Sequence, residues 1–124
     1  MDYLEKKDLD CSGIDTGFFE DGLIFPIKEK IVKKDARNID KSDLKDFDVC
    51  IQLAAISNDP VGNLDEESMY APTRDYAIKI AKFCKELGVQ FIFPSSCSVY
   101  GAAEGKGPLS EDGVTNPQTG YSLN

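Results

Sequence analysis

Two near-continuous apolar runs, Asp48-Val-Cys-Ile-Gln-Leu-Ala-Ala-Ile56 and Val89-Gln-Phe-Ile-Phe93, flank a segment with helical periodicity. Alternation of apolar and polar residues marks a strand with one wet face. Runs this continuous mark parallel strands covered on both faces. Between them, Tyr76, Ala77, Ile80, Phe83, Cys84 and Leu87 recur at helical spacing, which predicts a helix from about Thr73 to Leu87. Lys79, Lys82, Lys85 and Glu86 lie outside that stripe, and Gly88 suits the C′ position. Strand, helix, strand in this order is the repeating unit of an open parallel α/β sheet.

The N-terminal third is more polar. Residues 1–8 read as the tail of a helix, Cys11–Asp15 and Ile31–Asp35 as short strands, and Glu20-Asp-Gly22 as a turn. Ser42 is placed to cap a brief helix, Asp43–Phe47, and Ser57-Asn-Asp-Pro60 to close the strand before it. Gly101 to Asn124 reads as a functional loop leading into a helix. In open parallel sheets, ligands bind at the C-terminal strand ends. The polar segments Asp15–Gly17, Asp35–Arg37, Ala54–Asn58 and Ser95–Ser98 all fall at such ends.

Composition removes several function classes. The formal charge of −8 disfavours nucleic acid and anionic membranes as partners. There is no histidine, and none of Cys11, Cys50, Cys84 and Cys97 forms a C-x-x-C pair, so no metal site is expected. Four reduced thiols, no apolar leader and no membrane-length apolar stretch give a cytoplasmic protein as the expectation. A hydrophobic fraction of 41% argues against global disorder, and 124 residues fit a single domain.

Phe93-Pro-Ser-Ser-Cys-Ser-Val-Tyr-Gly101, followed by Pro117-Gln-Thr-Gly-Tyr-Ser-Leu-Asn124, carries the most specific signal. Moving a proton off an alcohol needs a phenol poised beside a hydroxyl donor, which a serine and a tyrosine on neighbouring segments supply. With the upstream Leu53-Ala-Ala-Ile-Ser-Asn-Asp-Pro-Val-Gly62, these segments resemble the extended short-chain dehydrogenases/reductases, specifically the NAD-dependent nucleotide-sugar epimerases and dehydratases. The resemblance covers about residues 10–124.

That resemblance implies an α/β fold, a partial Rossmann-like parallel sheet with flanking helices, with residues 1–124 as one partial dinucleotide-binding domain. It implies Ser96 and Tyr121 as the catalytic pair. Leu53, Ala54 and Ala55 would pack along NAD, and Asp15, Asp35 and Ala36 would hold its adenosine half. A carboxylate at Asp15 repels a 2′-phosphate and so favours NAD over NADP. The implied substrate is a nucleotide sugar, and the implied chemistry is proton and hydride transfer at one hydroxyl-bearing carbon.

Departures from the family pattern refine the expectation. Cys97 and Ser98 stand where the dehydratases have Asp and Glu, which leaves epimerases and reductases. Gln52 replaces the family's histidine, and Thr73 replaces an asparagine and is expected to cap the helix. The sequence holds no Gly-x-x-Gly-x-x-Gly turn to bind a pyrophosphate and no lysine four residues after Tyr121. Gly101–Gly107 has too few residues for a P-loop and reads as a surface loop.

A phenol without a neighbouring cation, at pKa about 10, is only about 0.1% ionised at pH 7. The expectation is an incomplete family member, inactive or nearly so alone, with weak or no NAD binding. The alternative is a short non-catalytic module that binds a nucleotide or a protein. In the family's strand order the absent first strand is central. Strands two and three would then be parted from four and five, and the exposed edges favour a homo-oligomer or a rearranged sheet.

Overall fold

The computed structural model describes residues 2–24, 30–56, 66–102 and 107–123. Their element order is α1 (Asp2–Glu5), β1 (Ser12–Asp15), β2 (Lys30–Lys33), β3 (Val49–Ile51), α2 (Glu66–Leu87), β4 (Gln90–Ile92) and α3 (Gly120–Leu123), with short 3-10 turns between. The chain divides into two compact units, Met1–Asp40 and Lys41–Asn124.

In the first unit β1 and β2 pair in parallel, with Ser12 opposite Lys30 and Asp15 opposite Lys33. The ladder continues one bond further, from the Lys34 N–H to the Asp15 carbonyl at 3.0 Å. Both strands are short and mostly exposed at their ends, and Ile39 is the buried apolar residue of this unit.

In the second unit β3 and β4 pair in parallel, with Val49 opposite Gln90, Cys50 opposite Phe91 and Ile51 opposite Ile92. Helix α2 connects them, which is the strand–helix–strand unit anticipated from the apolar runs. The four strands thus form two separate two-stranded sheets, β1–β2 and β3–β4.

Helix α2 begins at Glu66, seven residues before the expected start. Pro72 lies inside it, in its second turn. Thr73 is therefore mid-helix and caps nothing. The earlier turns extend the buried stripe, which runs Tyr70, Thr73, Ala77, Ile80 and Cys84 at alternating three- and four-residue steps.

The helix ends as expected. Gly88 adopts φ +75°, and the Val89 N–H donates to the Cys84 carbonyl at 2.9 Å, the wrapped hydrogen bond of a left-handed C-terminal cap. Ion pairing of Lys41 with Glu86, and the Lys41 and Lys79 ammonium groups 5.6 and 5.7 Å from the Phe83 ring centre, line its outer side.

Other expected elements are shorter. The strand read over 48–56 covers only Val49–Ile51, because β4 stops at Ile92, whose carbonyl takes the last ladder bond from the Gln52 N–H at 2.9 Å. The helix read over Asp43–Phe47 is a 3-10 turn, Lys41–Asp43, followed by a further turn, so Ser42 lies within it and does not cap it. So short a segment cannot repay helix nucleation. Ser57-Asn-Asp-Pro60 and residues 103–106 of the glycine-rich loop lie outside the described residues.

The loop after β4 is tied to the segment ahead of α3. The Asn116 N–H donates to the Val99 carbonyl at 2.9 Å. Gly101 has φ +62°, and a Cβ built on it would overlap the Asn116 carbonyl oxygen. Replacing Gly101 with Ala combines backbone strain with a backbone clash. We expect it to cost about 1–3 kcal/mol, measured as a lowered urea midpoint.

Cys50 supplies a pH test of the core. Burial, and secondarily the neighbouring Cys84, push its thiol up from 9.0 to about 11. The folded state thus holds the Cys50 proton more tightly than the unfolded chain. This contribution to stability is complete below pH 9 and is lost as pH rises towards 11. Thermal melts across that window should fall more steeply in wild type than in Cys50→Ala.

Candidate functional site

In the first unit, Asp15 sits at the C-terminal end of β1. One of its carboxylate oxygens, Oδ1, accepts the Gly17 N–H at 2.7 Å. Among the described residues nothing occupies Oδ2, which leaves an acceptor suited to a ribose hydroxyl.

Asp35 follows β2 and caps the 3-10 turn Ala36–Asn38 by accepting the Arg37 N–H at 2.8 Å. The Arg37 guanidinium also clasps its carboxylate, with Nε at 3.0 Å and Nη2 at 2.5 Å from the two oxygens. These bonds from Arg37, side chain first and backbone second, hold the Asp35 carboxyl down at about 2. Ala36, half-buried, begins the turn.

The second unit contains a cleft of about 350 Å³ at the C-terminal ends of β3 and β4. Such a volume lies within the range of small-molecule sites. The strand end after β3 forms one wall. Leu53 and Ala55 line the cleft, whereas Ala54 turns its carbonyl to accept the Tyr76 hydroxyl and the Gln52 amide, at 2.5 and 2.8 Å. The Ile56 N–H donates to the Thr73 hydroxyl at 3.3 Å. Three side chains therefore fix a loop that has no ladder partner.

The opposite wall comes from the loop after β4 and from α3. Ser96 caps the turn Cys97–Tyr100, and its Oγ accepts both the Ser98 N–H at 3.3 Å and the Ser98 hydroxyl at 2.9 Å. With both lone pairs used in this way, its own proton is left to donate. Tyr121 sits in α3, its ring edge-on to the buried Tyr70 ring with centres 6.4 Å apart. Thr119 and Ser122 hold the start of α3 through reciprocal hydrogen bonds. Ser96 and Tyr121 line the same cleft as Leu53 and Ala55.

None of the described residues that line the cleft is Asp, Glu, Lys or Arg. The cleft thus presents hydroxyls from Ser96 and Tyr121 beside the apolar side chains of Leu53, Ala55 and Val99. These groups fit the reacting end of a dinucleotide and a neutral alcohol, and the open Asp15 oxygen fits a ribose. Among the described residues no group of three or more His, Cys, Asp or Glu is arranged to hold a metal ion. No helix among them is long and apolar enough to cross a membrane. Cys97 is exposed and makes no disulfide.

Sequence reasoning missed Tyr70, and it treated Gln52 and Thr73 only as departures from a pattern. All three line the cleft. The signal for Tyr70 was present: it precedes Ala77 by seven residues on the same stripe.

The family model described as "NAD dependent epimerase/dehydratase family" matches residues 1–124. No curated protein matches the sequence. Among solved structures, an NAD dependent NDP-hexosamine 5,6-dehydratase, TunA, involved in tunicamycin biosynthesis, superposes with TM-score 0.85 at 21% identity, over 98% of this chain and 40% of that one. At that identity the likeness shows the fold, which is Rossmann-like.

The UDP-N-acetylglucosamine 4-epimerase of Methanobrevibacter ruminantium M1, solved with UDP-N-acetylmuramic acid, gives 0.77 at 29% identity, over 92% and 38%. The UDP-glucuronic acid 4-epimerase of Bacillus cereus, solved with UDP-glucuronic acid and NAD, gives 0.77 at 26%, over 97% and 42%. The chain thus spans about two fifths of the length of the structures it matches. With a match over all of its 124 residues, the chain belongs to the NAD dependent epimerase/dehydratase family.

Proposed function

We propose that residues 1–124 are the dinucleotide-binding part of an NAD-dependent nucleotide-sugar epimerase or reductase. The observation that carries this reading is the meeting of Ser96, Tyr121, Leu53 and Ala55 around one cleft. Tyr121 accepts the proton of a sugar hydroxyl. Ser96 donates a hydrogen bond to the same oxygen and holds it in line. Leu53 and Ala55 keep water from the reacting carbon. NAD, when bound, supplies the hydride acceptor for that carbon.

Asp15 takes a hydroxyl of the adenosine ribose on its open oxygen, and Asp35 with Ala36 borders the adenine. Cys97 and Ser98 offer no carboxylate for eliminating water, which favours epimerisation or reduction over dehydration. The neighbours solved with UDP-sugars support UDP-sugars as the substrate class.

In the same proposal, the isolated chain turns over slowly. The sequence holds no Gly-x-x-Gly-x-x-Gly turn to cradle a pyrophosphate. Each two-stranded sheet also leaves edges without a ladder partner among the described residues, which supports self-association. A cytoplasmic setting accords with four cysteines free of disulfides.

Titration of the isotope-labelled chain with NAD should move the amide signals of Asp15, Ala36, Leu53, Ala55, Ser96 and Tyr121. Perturbation confined to other residues would overturn the assignment. Any residual conversion of a UDP-sugar, read by proton NMR, should fall about 10²–10⁴-fold in Tyr121→Phe. Nucleotide binding together with a rate indifferent to Tyr121→Phe would favour the non-catalytic module. Native mass spectrometry should show a dimer or larger species, and a monomer at all concentrations would refute self-association.

A further inference from the structure

Three polar side chains are buried among the described residues: Gln52, Thr73 and Ser122. Two of them meet their needs within the chain. The Thr73 hydroxyl accepts the Ile56 N–H, and the Ser122 hydroxyl bonds both the N–H and the carbonyl of Thr119. Gln52 is different. It is only 6% exposed, yet its side chain makes one hydrogen bond, from Nε2 to the Ala54 carbonyl at 2.8 Å.

That bond fixes which end of the carboxamide is which, because only the NH2 end donates to a carbonyl. The oxygen, Oε1, therefore points elsewhere, and nothing among the described residues donates to it. No fully buried side-chain nitrogen or oxygen among these residues lacks a partner, so this oxygen is not sealed inside the protein. Gln52 lines the cleft, and the opening available to Oε1 is the cleft itself. A nearly buried acceptor left open at a ligand site is a group awaiting a donor.

We infer that Gln52 is a ligand-contacting residue whose Oε1 accepts a hydrogen bond from the primary carboxamide of a bound nicotinamide ring. This rests on the function proposed above. There, the ring carbon that receives hydride must meet the sugar carbon whose hydroxyl faces Tyr121. The carboxamide is attached to the neighbouring ring carbon, so it falls within the same cleft.

The remaining lining agrees with such a group. Leu53, Ala55 and Val99 offer apolar surface to a flat ring, and none of the described lining residues carries a charged side chain that would favour an ionised one. A carboxylate in the same place would bring only acceptors to an acceptor, together with a charge that the walls do not compensate. Gln52 thus selects the amide over the acid form of the pyridine ring, and does so without a titrating group.

The test uses the 124-residue chain, labelled for nitrogen–proton correlation NMR, with nicotinamide mononucleotide and nicotinic acid mononucleotide as probes. The amide probe should shift the Gln52 side-chain NH2 signals and the Tyr121 amide, with the acid probe at least about 10-fold weaker. In Gln52→Leu the two probes should become equivalent. Because loss of the Ala54 bond could unsettle that variant, the wild-type comparison of the two probes stands by itself. Equal binding of both probes to the wild-type cleft would overturn the role of Gln52, as would an amide preference that survives Gln52→Leu. If neither probe moves any cleft signal, the functional reading beneath the inference fails as well.

Discussion

The buried stripe of α2 is the constraint on which residues 41–124 depend. A pair of three-residue strands has too few ladder bonds to persist by itself. Ala77, Ile80 and Cys84 are the buried apolar residues of α2 beyond its first turns, α2 packs against β4, Cys84 neighbours Cys50 of β3, and the Gly88 turn returns the chain into β4. The upstream end of the same stripe does something else. Tyr70 and Thr73 continue the line beyond the sheet and become part of the cleft. One helix face therefore supplies core residues at Ala77, Ile80 and Cys84 and cleft lining at Tyr70 and Thr73.

This division explains what could be read from the residues alone. Continuous apolar runs announced β3 and β4, and helical spacing announced α2, because both signals are local and repeat. Ser96 and Tyr121 were legible because they belong to a motif of characteristic residues at short range. Gln52 and Tyr70 were not. Gln52 lies where a strand runs out of partners, which leaves no mark in composition, and Tyr70 lies on a turn of α2 ahead of the start that the spacing predicts. The lengths of β3 and β4 were overread for a related reason: an apolar run records burial, whereas a strand ends when its neighbour's hydrogen bonds end.

The two units handle polar groups in opposite ways. In the first, carboxylates lie in the open and are steadied by local donors, Gly17 for Asp15 and Arg37 for Asp35. Exposed pairs of this kind add little to stability, and their effect is to orient an oxygen. In the second, Gln52, Thr73 and Ser122 are buried and bond the backbone of nearby segments.

The manner in which Tyr121 is held has a consequence for how it could act. Its ring leans edge-on against Tyr70, while its hydroxyl makes no hydrogen bond to any described residue. A phenol anchored through its carbon skeleton keeps its position whichever partner its oxygen takes. It can serve as acceptor at one moment and donor at the next without leaving its seat, so the aromatic contact separates where the group stands from what it is bonded to.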